Sequence, residues 1–157
     1  RGWRRKALAA ALEKVRGLDG DLADVAGAAL EEAFASTPRT KGKIVKASFD
    51  LSSPQNAVLY VRWRASKRRE VNEEAATIAA LVKDAVPFVS TLSIAAIHPS
   101  APEDTEKTVW EGVISRSSME HISLRRVDTY ADRRYACRQA SGGGRCGMFT
   151  DHKSIPF

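Results

Sequence analysis

Between residues 59 and 78 the hydrophobic period of the chain changes from two to between three and four, in LYVRWRASKRREVNEEAATI. Leu59, Val61 and Trp63 alternate with Tyr60, Arg62 and Arg64. A strand with that pattern has one apolar face and one face carrying an aromatic ring and two cations. After the turn, Val71, Ala75, Ile78, Ala79, Val82 and Ala85 or Val86 recur at helical spacing, and Pro87 closes the helix. An apolar strand face followed at once by an apolar helix stripe calls for layered packing, with the helix laid on a sheet.

The flanking sequence extends that unit. Residues 88–97 are apolar and β-branched, and the same character returns at 108–115 after a polar, proline-containing stretch at 98–107. Ile122, Leu124 and Val127 predict another strand, with Ser123, Arg125 and Arg126 among them. Strand, helix, strand, strand is one half of a ferredoxin-like βαββαβ unit. The expected class is therefore α+β, a ferredoxin-like open sheet with its helix on one face, spanning residues 43–130.

Residues 1–42 read as a helical N-terminal extension. Trp3, Ala7, Ala11 and Val15 mark a first helix, ended by Gly17 and an Asp19-Gly20 turn. Leu22, Val25, Ala26, Ala29, Leu30, Ala33 and Phe34 form the core stripe of a second, with Asp21 as N-cap and Ser36-Thr37-Pro38 as its stop. A basic connector at 39–43 leads to a strand whose Val45, Ala47, Phe49 and Leu51 share a face, and a Ser-Ser-Pro turn ends it. Residues 131–157, with glycines at 142, 143 and 144, read as an extended tail with at most a helical turn near 133–138.

Charge narrows the partners. The chain of 157 residues carries a net charge of +6, and Arg62, Arg64, Lys67, Arg68 and Arg69 place five cations within eight residues. That density can neutralise several phosphates and release their counterions. Nucleic acid ranks first as partner, an acidic membrane surface second and an acidic protein third. The structural alternative is a solvated edge strand protected by its cations. No apolar run approaches the ~20 residues of a membrane span, so no membrane insertion is expected. Trp63 shares the core face, which makes Tyr60 the better candidate for base stacking.

Catalysis finds little support. His98 and His121 form no nucleophile-and-base arrangement with the available Ser, Asp and Cys residues, and the triple glycine lacks the Lys-Ser or Lys-Thr of a phosphate loop. Cys137, Cys146 and His152, with Asp151 adjoining, are the candidate metal ligands. Their spacing fits no common zinc finger, so no cofactor is expected unless a partner chain completes the set. Two cysteines form no disulfide framework, which points to a reducing compartment. The segment RGWRRKALAAAL has the arginine and alanine bias of a mitochondrial presequence remnant.

Ala65, Arg69, Val71, Asn72, Ala76 and Ile78, preceded by LYVRWRA, resemble the first strand and helix of the small-subunit ribosomal protein S-ten family. Residues 124–128, LRRVD, with Glu120 upstream, are similar to a later strand of that family. Ser66 and Lys67 replace the family's aromatic and acidic residues, its second strand keeps little beyond Pro99, and 98–107 look inserted. The resemblance spans residues 59–128. It implies a non-catalytic structural component of the small-subunit head, bound to ribosomal RNA and neighbouring small-subunit proteins within a large hetero-complex. With its extensions, the chain would suit an organellar ribosome, a mitochondrial one ahead of a plastid one, and hence the matrix; a cytoplasmic location stays open. Arg62, Arg64, Lys67, Arg68 and Arg69 form the expected RNA-facing group, and Arg125 and Arg126 a second, through phosphates and 2′-hydroxyls. Two other readings stay open. One is an interaction subunit of another large mitochondrial assembly; the other is a small metal-dependent RNA-processing enzyme.

Overall fold

The structure, a computed structural model, describes residues 19–53, 55–102, 107–127 and 150–154. The expected first helix, most of the tail and both cysteines lie outside them. Helix α1 (Asp19–Ser36) precedes strands β1 (Ile44–Asp50) and β2 (Val58–Arg64). A 3-10 turn (Arg68–Glu70) opens α2 (Val71–Ala85), followed by β3 (Thr91–Ile97) and β4 (Thr108–Ser115). Two short helices, α3 (Arg116–Met119) and α4 (Leu124–Val127), and strand β5 (Thr150–Ser154) complete the order.

The strands form one mixed sheet in the order β1-β2-β3-β4-β5. Only β2 and β3, joined through α2, run parallel; the other pairs are antiparallel. This is the open α+β sheet with a helical layer and an N-terminal helix that the periodicity predicts. In one respect it is simpler than a split βαβ unit: β2 and β3 pair directly, with no strand between them. Strand β5 adds to the edge at β4, in a tail whose composition predicts no strand.

The core lies between the sheet and α2. Leu59, Val61 and Trp63 of β2, Leu92, Ile94 and Ala96 of β3, and Val71, Ala75, Ile78, Ala79 and Val82 of α2 are all buried. Strand register explains how two indoles fit there. Trp63 and Trp110 both pair with Ala96, and above that methyl group their rings meet edge to face at 5.8 Å. Helix α1 contributes Ala26, Leu30 and Phe34. Its C-terminus is closed by buried Thr40, whose hydroxyl donates to the carbonyl oxygens of Phe34 at 2.7 Å and Thr37 at 3.2 Å.

Three local expectations are corrected. Asp21 lies inside α1 rather than capping it. Val45 is 40% exposed because the register shifts between Ile44 and Lys46, so Ile44 takes the inward position instead. Such a bulge on an outer strand also blunts edge pairing. Residues 124–127 form a helical turn, not a strand: the Val127 N–H donates to the Ser123 carbonyl at 3.1 Å, and Ile122 and Val127 are both buried by this winding.

Arg116 anchors the far end of α2. Its Nε donates to the Val89 carbonyl at 2.9 Å, Nη1 to Lys83 at 3.2 Å and Nη2 to Val86 at 2.5 Å. A cation here satisfies carbonyls at and just beyond the helix end and complements the negative end of its dipole. Burial lowers the Arg116 pKa from its ordinary value, and nearby Glu120 opposes the shift. Arg116→Met is expected to destabilise the fold by about 2 kcal/mol in urea unfolding, because three charge-assisted bonds are lost. A change below about 0.5 kcal/mol would show that water replaces the guanidinium without cost.

Candidate nucleic-acid interface

The side chains that alternate away from the core make two rows across the sheet. Lys46, Arg62, Ala95 and Glu111 are successive register partners, with Lys153 opposite Glu111 on β5. Ser48, Tyr60, Ser93 and Val113 form the second row. Tyr60 is 46% exposed, and Lys46 is exposed. Because the middle of β3 carries Ser93 and Ala95 on this side, with Thr91 at its start, the sheet is grooved along the centre of that strand. The trough has a volume of about 260 Å³, walled by Tyr60 and Arg62 on one side and by Glu111 and Val113 on the other.

The five cations of the strand and turn have different surroundings. Arg62 is half-buried in the first row. The Arg64 Nη1 donates to the carbonyl oxygens of His98 at 3.2 Å and Pro99 at 3.1 Å, and also to that of Ala101. This side chain ties the 98–101 loop to the end of β2, a structural task that the alternation alone does not reveal. Lys67, Arg68 and Arg69 are exposed beside one another just before α2. No described carboxylate is paired with them. They stand at the positive end of the α2 dipole, an arrangement that an anion relieves. Arg125 is exposed on α4, where Arg126 also lies, so the second expected group is on a short helix of the helical layer.

A buried carboxylate fixes the cationic turn in place. Glu74, 2% exposed, accepts from Lys43 Nζ at 2.8 Å, the Ser66 hydroxyl at 2.8 Å, the Ser66 N–H at 3.2 Å and Trp63 Nε1 at 3.4 Å. These bonds join the entry to β1, the exit from β2 and the first turn of α2. The chain must therefore leave β2 in one direction, which sets where residues 67–69 emerge. Sequence reasoning misses this cluster because Lys43 and Glu74 are 31 residues apart and Glu74 reads as an ordinary solvated helix residue. Glu111 is missed for the same reason: only register brings it to the Tyr60 face.

His98 has a structural part, its Nδ1 accepting the Ser100 N–H at 3.0 Å. Cys137 and Cys146 lie outside the described residues, as does the side chain of His152. Among the described residues, no group of three or more His, Cys, Asp or Glu side chains is placed to hold a metal ion. Comparison with protein-family models, curated proteins and solved structures found no match to the chain.

Proposed function

We propose that this chain is a non-catalytic RNA-binding protein, a structural component of the small subunit of a mitochondrial ribosome that contacts ribosomal RNA and neighbouring proteins. The observation that carries the RNA reading is the adjoining of two surfaces: the Tyr60 and Arg62 face of β2 and the exposed Lys67, Arg68 and Arg69 turn that follows it. Cations that neutralise phosphates and an exposed ring on a strand are the two elements that single-stranded RNA requires. The ribosomal and mitochondrial parts rest on the resemblance of residues 59–128 and on the arginine and alanine bias of the N-terminal segment. Among the described residues, no helix is long and apolar enough to cross a membrane.

Sedimentation of a mitochondrial lysate at moderate salt tests this reading. The tagged chain is expected in the small-subunit fraction and is expected to leave it after ribonuclease treatment. Recovery in a ribonuclease-resistant complex without ribosomal RNA would overturn it in favour of a protein-interaction subunit.

A further inference from the structure

We infer that the trough along β3 is a binding slot for one unpaired nucleobase, and that Glu111 makes it selective for guanine. The inference rests on the RNA-binding reading and names what that surface recognises. Three observations carry it. First, Ser93 and Ala95 give the trough a floor of small side chains, and its walls stand two strand spacings apart, roughly 9.6 Å between backbones. A flat ring can lie between such walls, where branched side chains on β3 would fill the space. Second, the β2 wall supplies an exposed phenol ring and a guanidinium, both of which stack on bases and one of which also reaches phosphate.

Third, the β4 wall carries a carboxylate on a face otherwise marked by Lys46 and Arg62, with Lys153 its register partner on β5. None of the described side chains donates a hydrogen bond to Glu111. An acid weakens the attraction for phosphate, so a surface that served only the backbone would be better without it. It is useful toward a base, because a carboxylate only accepts hydrogen bonds. Guanine offers it N1–H and N2–H side by side on the Watson–Crick edge, a bidentate match. Uracil presents two carbonyls around its single N–H, while adenine and cytosine each place an acceptor beside their amino group. The edge that the carboxylate reads is occupied in a duplex, so the ligand is single-stranded.

The test is fluorescence anisotropy of the full chain with labelled octaribonucleotides: uridine throughout, and the same octamer with one central guanosine, adenosine or cytidine. The guanosine octamer is expected to bind about tenfold more tightly than the others, the discrimination of one bidentate contact. Glu111→Gln should abolish that preference and leave binding of the uridine octamer at least as tight. Ser93→Leu, which fills the trough from an outward position, should also remove it. Tyr60→Ala should weaken all four octamers about tenfold. Equal binding of the four octamers, or a guanine preference that survives Glu111→Gln or Ser93→Leu, overturns the slot while leaving the RNA-binding reading in place. Binding of no octamer, the result expected if a protein partner covers this face, overturns both.

Discussion

Glu74→Ala is expected to lower the stability of the fold by about 3 kcal/mol. The carboxylate is buried and receives four hydrogen bonds from three residues. Alanine strands the Trp63 indole N–H and both Ser66 donors, each of which was desolvated to meet it. Lys43 is 29% exposed and can turn to solvent, so its share of the loss is small. Two companion variants separate these contributions. Glu74→Gln keeps one acceptor oxygen and should cost about half as much, and Lys43→Met should cost less than about 1 kcal/mol. Thermal unfolding of Glu74→Ala should show a midpoint roughly 10 °C lower. A shift of less than about 2 °C would mean that the cluster does not fix the exit from β2.

The second large effect is on binding. Replacing Arg68 and Arg69 together by alanine is expected to weaken RNA binding roughly tenfold near 0.1 M salt and to reduce the slope of log K against log salt by about 1.5, two phosphate contacts' worth. Both side chains are exposed, and neither takes part in capping α2 through a side-chain bond. The folded state should therefore change by less than about 0.5 kcal/mol, which separates this variant from Glu74→Ala. Equal slopes for variant and parent would exclude the turn from the interface. Arg64→Met is the informative control: its guanidinium holds the 98–101 loop, so its substitution should disturb that loop more than the salt slope.

What could be read from the sequence followed the range of each interaction. Strand β2 and helix α2 were legible because their periods are local and strong, and Leu59, Val61 and Trp63 bury as the alternation demands. The segment at 122–127 misled because Ile122, Leu124 and Val127 suit a short buried helix as well as a strand; the winding was decided by packing against α2. Val45 misled because a bulge cannot be seen in a period of two. The candidate interface divides in the same way. Lys67, Arg68 and Arg69 are adjacent in sequence and remain adjacent in space. Tyr60, Ser93 and Glu111 come together only through the pairing of three strands, and Glu74 reveals its role only once Lys43, Trp63 and Ser66 converge on it.

Salt dependence of affinity reports polyanion recognition by the β2 face and its turn. Affinity of the full chain for a single-stranded RNA should be measured from about 50 to 300 mM salt. Four engaged cations, Arg62, Lys67, Arg68 and Arg69, predict a log–log slope of about −3. No binding at about 50 mM salt, or a slope near zero, would rule out polyanion recognition by this face.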